Sequence, residues 1–257
     1  MKKTLMMTAA ALMMVGGAAM AETVKVGVAA EAYPPFASPD ASGKFYGWEV
    51  DFINAVCAAA AMDCEIVPVA WDGIIPSLTS GQIDTIMASM SITEDRMKTI
   101  DFSNKYYNTP TVIVGLKGVD MTATPEGLAG KIIGVQVSTI HQDYVQKYFE
   151  AGAAEVKTYQ TQDEANQDLV AGRIDATQAD SIALDAFLAT DAGKACCEVK
   201  GAVANDTSIL GLGVGAGVRK GDDALKAKIN DGIAKILADG TYEKFTAQYF
   251  ASSIYGD

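Results

Sequence analysis

The chain has 257 residues, 49% of them hydrophobic and 20% charged, with a formal charge of −12 and a single histidine. That length and composition suit one large or two small globular domains and exclude a disordered chain. The acidity argues against unspecific capture of nucleic acid or anionic lipid, which depends on Lys and Arg, and one histidine leaves little for a zinc site or for imidazole acid–base catalysis.

Residues 1–21 have the order of a secretory signal: Lys2 and Lys3, an apolar run over 5–15, then Ala19-Met20-Ala21 as a cleavage site. The run is too short to span a bilayer comfortably, and no later stretch is long and apolar enough. The sequence therefore predicts an exported, soluble protein of a bacterial periplasm.

A strand over 24–29 comes next, followed by Tyr33-Pro-Pro-Phe36 as a stiff turn. A helix is predicted over 51–61 with Phe52 and Val56 on one face, then a strand over 65–69 and a short helix over 74–80. Cys57 and Cys64 stand at the two ends of the helix-to-strand segment and are expected to pair in an oxidising compartment. Trp71 falls in the loop after that strand, where a tryptophan either joins the core or stacks on a ligand side chain.

A further strand ends at Met87 and runs into Ala88-Ser-Met-Ser-Ile-Thr-Glu-Asp-Arg96. Thr93 reads as the N-cap of a short helix with Glu94 and Asp95 in its first turn. Arg96 shares that turn, where the helix dipole disfavours a cation. Beside the hydroxyls of Ser89 and Ser91 and open backbone N–H groups, such an arginine suits bidentate capture of a carboxylate. An ion pair with Glu94 or Asp95 is the plainer alternative.

Later come a strand over 131–137, the hydroxyl turn Ser138-Thr139 opening a helix that starts near Ile140 and takes in 142–149, and a capping box at Thr161 and Glu164. Asp180 follows another strand and either caps a helix or receives an ammonium group. Cys196 and Cys197 are adjacent, which leaves a vicinal disulfide, two free thiols or exchange with another cysteine open. The Gly-rich stretch 211–217 alternates like a packed strand rather than a phosphate-binding turn. Leu225, Ile229, Ile233 and Ile236 recur at helical spacing, as do Tyr242, Phe245 and Tyr249.

This alternation predicts an α/β fold on largely parallel sheets. The hexapeptide SGQIDT at 80–85 returns as AGRIDA at 171–176, each copy downstream of a Gly-Val strand, at Gly27-Val28 and Gly134-Val135. The matching order predicts two lobes of similar construction with a ligand cleft between them. G-x-S-x-G, H-E-x-x-H, P-loop and EF-hand patterns are absent, so nothing points to nucleophilic, metal or cofactor chemistry.

Ordered motifs across the chain resemble the periplasmic polar amino-acid-binding proteins of ABC transporters, especially the lysine/arginine/ornithine, histidine and arginine binders. They are Tyr33-x-Pro-Phe36, Gly47-Trp-Glu-Val-Asp51, Trp71-Asp-x-x-Ile-Pro-Ser-Leu78, Ser91-Ile-Thr-x-x-Arg96, Gly130-Lys131, Gly134-Val135, Gly172-Arg-x-Asp175 and Asp239-Gly-Thr-Tyr242, with Cys57 and Cys64 at the spacing of a disulfide common in that subgroup. The resemblance implies a two-lobed type II periplasmic binding-protein fold. Lobe 1 would comprise 22–110 and 209–257, lobe 2 would comprise 111–208, and two extended crossovers would join them. It assigns Arg96, with Ser91 and backbone at Ser89 and Thr139, to a ligand's α-carboxylate, Asp180 to its α-ammonium, and Tyr33 and Trp71 to its side chain.

The cationic-ligand members carry an acid three residues before the tyrosine. Here that position is Ala30, Glu31 follows it, and Ala88 replaces a serine. Glu31 or Glu49 is then the candidate distal anchor, while Gln136 and His141 sit where the family varies its side-chain contacts. The implied function is capture of a polar, cationic L-amino acid by a monomer that needs no cofactor and delivers its ligand to an ABC permease in the inner membrane. Alternatives on the same fold are receptors for glutamine or an opine-like derivative, and exported cyclohexadienyl dehydratases acting on arogenate or prephenate, for which Glu31 is the nearest acid.

Overall fold

A computed structural model describes residues 23–256; the signal sequence expected over 1–21 lies outside the described residues. In chain order the strands are β1 (Val24–Ala29), β2 (Ser38–Pro39), β3 (Phe45–Tyr46), β4 (Cys64–Val69), β5 (Thr85–Ile86), β6 (Ile100–Tyr107), β7 (Thr111–Leu116), β8 (Ile132–Gln136), β9 (Glu155–Tyr159), β10 (Ala176–Asp180), β11 (Cys197–Ala202) and β12 (Val214–Arg219). They form two five-stranded sheets, β4-β1-β5-β12-β6 and β11-β7-β10-β8-β9, and the small hairpin β2-β3.

Both sheets have one plan. Three parallel strands, β4-β1-β5 in the first and β9-β8-β10 in the second, are followed by one strand that runs the opposite way, β12 or β7, and then by a fifth, β6 or β11, antiparallel to that one. The expectation of largely parallel sheets is therefore corrected to mixed ones. The chain path is the reason: β6 leads through 108–110 into β7 of the second sheet, and the chain returns through 203–213 to β12 of the first. Each sheet is completed by a strand arriving from the other lobe.

The hexapeptide echo has a structural cause. In the first copy Ile83 is fully buried, and a Cβ on Gly27 would fall 2.3 Å from its Cδ1; in the second, Ile174 stands over Gly134 with the corresponding distance 2.5 Å. The next residue ties the same corner. Asp84 accepts from the backbone N–H of Lys25 and donates its own N–H to Lys25, and Asp175 does both with Ile132. An isoleucine packed on a strand glycine and an aspartate stapling that strand are thus repeated at equivalent places in the two sheets.

Local chemistry sets the helix limits. The helix Trp48–Ala59 starts three residues before the expected 51 because Gly47 has φ 128°, and a Cβ there would meet the Phe36 carbonyl at 2.3 Å. Thr139 caps the helix Ile140–Tyr148 by accepting from Gln142 N–H, the start near Ile140 that the hydroxyl turn predicts, and the Thr161–Glu164 capping box opens the helix Gln162–Val170. In the helix Asp223–Ala238, Ile229, Ile233 and Ile236 are buried. Tyr249 lies beyond the helix Thr241–Thr246 and donates its hydroxyl to Asp51. A disulfide joins Cys57 to Cys64, and Cys196 is bonded to Cys197 between the helix Asp191–Cys196 and β11.

Apolar side chains cover both faces of each sheet. On one face of the first, Trp48 packs among Phe36, Phe52, Tyr106 and Tyr242 and donates its indole N–H to Thr246 Oγ1 at 2.9 Å; Ile74, Leu78, Ile83 and Ile86 fill the other. The second sheet is covered by Ile133, Val135, Tyr144 and Phe149 on one side and by Val112, Val114, Leu169 and Leu184 on the other. Full burial of such a side chain contributes about 1.5–3 kcal/mol, which makes each lobe a rigid support for the loops between them. Among the described residues no helix is long and apolar enough to cross a membrane.

Candidate ligand-binding site

The loops that leave the carboxyl ends of β1, β4 and β5 meet those that leave β8 and β10. After β1, Tyr33 is fixed by its N–H to Ala37 and by its carbonyl to Phe36. After β4, Trp71 opens the 3-10 turn Trp71–Gly73, and both oxygens of Glu31 accept its backbone N–H, at 3.1 and 3.2 Å.

After β5 the chain turns at Ser89, a non-glycine residue with φ 56°. Such a conformation persists only where its surroundings impose it, and here Glu49 does so. Its carboxylate, 1% exposed, accepts Ser89 N–H at 2.8 Å, Ser89 Oγ at 3.0 Å and the Tyr106 hydroxyl. The Ser89 N–H is thereby committed and is not open to a ligand carboxylate in this conformation. Burial pushes the Glu49 carboxyl above the usual carboxylate range, against those hydrogen bonds.

Thr93 caps the short helix Glu94–Met97 by accepting from Arg96 N–H. The Arg96 side chain turns away from Glu94 and Asp95, the partners of the plainer expectation, and Asp95 pairs instead with Lys98. Arg96 Nη1 donates to the Ser91 carbonyl at 3.0 Å and Nη2 to the Ser138 carbonyl at 3.4 Å, and its guanidinium lies 5.5 Å from the centre of the Trp71 ring. Ser91 itself bridges to Val214 of β12. Burial pushes Arg96 down to about 10, resisted by Asp143, Asp180 and Asp95, so it stays a cation at neutral pH.

The second lobe answers with Ser138, also at positive φ (60°), whose N–H is held by Gln142 at 2.7 Å. Its carbonyl accepts from both Arg96 and Trp71 Nε1, the latter at 3.1 Å. Thr139 donates its hydroxyl to the Gln136 carbonyl, while Gln136 spends its own amide on Gln160.

Asp180 occupies the N-cap position of the helix Ser181–Leu188 but makes no capping hydrogen bond. Instead Oδ2 accepts the Tyr33 hydroxyl at 2.7 Å, Oδ1 accepts Thr109 Oγ1 at 2.9 Å, and His141 Nε2 lies 3.7 Å from Oδ2. Burial raises this carboxyl, yet His141, Tyr33 and Thr109 together hold it below the usual range, so it is ionised at neutral pH.

One cavity of about 50 Å³ is lined by every residue singled out from the sequence: Tyr33, Trp71, Ser89, Ser91, Arg96, Thr139 and Asp180, with Glu31, Glu49, Gln136 and His141. That is several times the room one water needs. The sequence reading missed Ile140 and Gln162, which also line it, and Thr109 of the crossover, which orients Asp180. It missed the Ser138 carbonyl too, because a backbone acceptor has no side-chain signature. Gln162 follows the recognised cap Thr161, and a polar residue buried at the start of a capped helix was the available signal. Chemically, the cavity offers a fixed guanidinium at one point and a fixed carboxylate at another, with aromatic rings beside both. It suits a zwitterion.

A family-level comparison matches residues 24–252 to the bacterial extracellular solute-binding proteins, family 3. The chain is 42% identical over 234 residues to the L-arginine-binding protein of Pseudomonas aeruginosa, covering 91% of this chain and 90% of that one. It is 36% identical over 241 residues to the lysine/arginine/ornithine-binding periplasmic protein of Escherichia coli, covering 93% and 92%. Among solved structures, it is similar to an ancestral arginine-binding protein bound to arginine (TM-score 0.81, 35% identity, 89% of this chain and 98% of that one) and to one bound to glutamine (0.79, 36%, 91% and 100%). The mixed sheets, the paired lobes and the cleft between them are therefore those of a shared fold, and the chain belongs to the bacterial extracellular solute-binding proteins, family 3.

Proposed function

We propose that the chain is the periplasmic receptor of an ABC importer for a cationic L-amino acid of the arginine, lysine and ornithine class. It is exported by cleavage after Ala21, acts as a monomer and performs no turnover. Lobe 1 comprises 22–110 and 209–257, and lobe 2 comprises 111–208. Arg96 takes the α-carboxylate with Ser91 and the Thr139 backbone, Asp180 takes the α-ammonium, and Tyr33 and Trp71 flank the side chain. Glu31 is the distal anchor, since the Glu49 oxygens are spent on Ser89 and Tyr106.

The observation that carries this reading is Arg96. It is a desolvated cation at the mouth of the cleft, hydrogen-bonded to two carbonyls and paired with no carboxylate among the described residues. A ligand carboxylate supplies the charge-assisted partner that this guanidinium otherwise lacks. The ligands for which the relatives are named support the cationic class, and the excess of Glu31 and Asp180 over Arg96 in the cavity is of the sign such a ligand needs.

Thermal-shift screening against the twenty amino acids plus ornithine, citrulline and ectoine tests it. A ligand at a hundred times its dissociation constant adds about 2.7 kcal/mol. Arginine, lysine or ornithine is expected to give the largest shift, and glutamine in first place rejects the cationic class. Incubation with arogenate and prephenate is expected to give no product; turnover rejects a pure receptor.

A further inference from the structure

The chain's one histidine lies inside the ligand cavity, 5% exposed. Its Nε2 is 3.7 Å from Asp180 Oδ2, and the two side chains are 7% and 13% exposed. Its Nδ1 is sealed from solvent and has no hydrogen-bond partner. Buried polar atoms ordinarily find one, so the ring is anchored on a single side. That side is the carboxylate assigned to the ligand's ammonium.

On the reading that Asp180 receives the α-ammonium, we propose that capture is proton-linked: the His141 imidazolium and the ligand's α-ammonium compete for one carboxylate, and His141 releases its proton to solvent as the ligand binds. Asp180 accepts hydrogen bonds from Tyr33 on Oδ2 and Thr109 on Oδ1 and carries one negative charge, which cannot neutralise two cations at once.

The charges around the ring set the sign. Asp180, at the end of β10, and Asp143, on His141's own helix, favour the imidazolium. Arg96 faces the same acids from the first lobe and opposes it. So do burial and His141's place in the first turn of the helix Ile140–Tyr148. Tyr33, Glu49 and Tyr107 complete the titratable set around Asp180. An ammonium seated on Asp180 cancels that carboxylate's pull on the ring and adds a positive charge beside it. The bound protein therefore holds the proton less tightly than the free one. Affinity therefore rises with pH while capture expels that proton, levels off once the free protein no longer carries it, and falls towards acid by up to tenfold per pH unit. Between pH 5 and 7 arginine's own groups keep their charges, so they do not produce this slope.

One histidine gives one imidazole resonance, so NMR titration of the tag-free protein reads His141 directly and needs no variant. Saturating L-arginine is expected to lower its titration midpoint, and calorimetry at pH 5–8 should show arginine affinity weakening towards acid with net proton release. His141→Gln should flatten that profile. An unchanged midpoint on arginine addition overturns the proposal. So does acid weakening that persists in His141→Gln, which assigns the effect to Glu49 or Asp143. Binding with a flat profile removes the linkage and leaves the receptor reading standing. Failure of every amino acid to bind at any pH removes the Asp180 assignment and the proposal with it.

Discussion

Arg96 and Glu49 show how the same physics gives two charged residues of one cavity opposite duties. Arg96 is held by carbonyls alone, so its charge is left for a ligand. Glu49 is consumed by Ser89 and Tyr106, so its charge builds the turn instead. Arg96→Ala is expected to cost about 3 kcal/mol of binding, roughly a hundredfold, as loss of one partner of a buried charge-assisted pair does. Its thermal stability should not fall, because a desolvated cation is removed; calorimetry beside a melting curve checks both. Glu49→Ala should do the reverse. It strands Ser89 N–H and the Tyr106 hydroxyl in the interior, at about 1–3 kcal/mol each, and urea unfolding should show a lower midpoint even without ligand. The pH dependences also run opposite ways. Burial leaves Glu49 binding its proton more tightly in the fold than in the unfolded chain, so its contribution to stability grows as pH falls through its raised folded value. Asp180 is held low, so its contribution is present above the unfolded value and is lost as pH falls through the folded one.

At the scale of elements, the stapled corner repeated in the two sheets makes a paired prediction. Gly27→Ala and Gly134→Ala each drive a methyl into an isoleucine side chain at 2.3 and 2.5 Å, and each should destabilise by about 1–3 kcal/mol. Ile83→Val in the first and Ile174→Val in the second each shorten the opposing side chain, and should restore part of the loss; chemical denaturation of the four single and two double variants measures the coupling. This corner was legible as a sequence echo because it depends on side chains at fixed spacing, and the capping residues Thr93 and Thr161 were legible for the same reason. Strand direction was not, since β7 and β12 look like any apolar strand and their antiparallel placement follows from where the chain has come from. In the site, residue types and turns were readable, whereas the roles of Glu49, Thr109 and the Ser138 carbonyl depend on which groups the fold brings opposite one another. The pair Cys57 and Cys64 closes a short loop between helix and strand. In the chain-entropy account such a bond contributes about 2–3 kcal/mol, so the double serine variant should melt lower while binding is retained.

Across the whole molecule, the two lobes touch through the very groups assigned to the ligand: Tyr33 to Asp180, and both Trp71 and Arg96 to Ser138. These bonds bias an equilibrium between open and closed lobes, and a ligand shifts it further only through contacts that differ between the two states. Trp71→Phe keeps an aromatic ring beside the ligand but deletes the indole donor to Ser138. A neutral hydrogen bond contributes about 1 kcal/mol, so the closed fraction should drop about fivefold relative to the open one, and arginine affinity should fall by a similar factor. Tyr33→Phe removes the other bridge, yet it also frees Asp180 of a donor that competes with the ammonium, so its affinity loss should be smaller for the same gain in openness. Small-angle scattering without and with arginine reads the openness, and calorimetry reads the affinity. If both variants scatter like the parent protein, the bridges do not set the lobe equilibrium. If Tyr33→Phe loses more affinity than Trp71→Phe, the hydroxyl contributes to the ligand site rather than competing for Asp180.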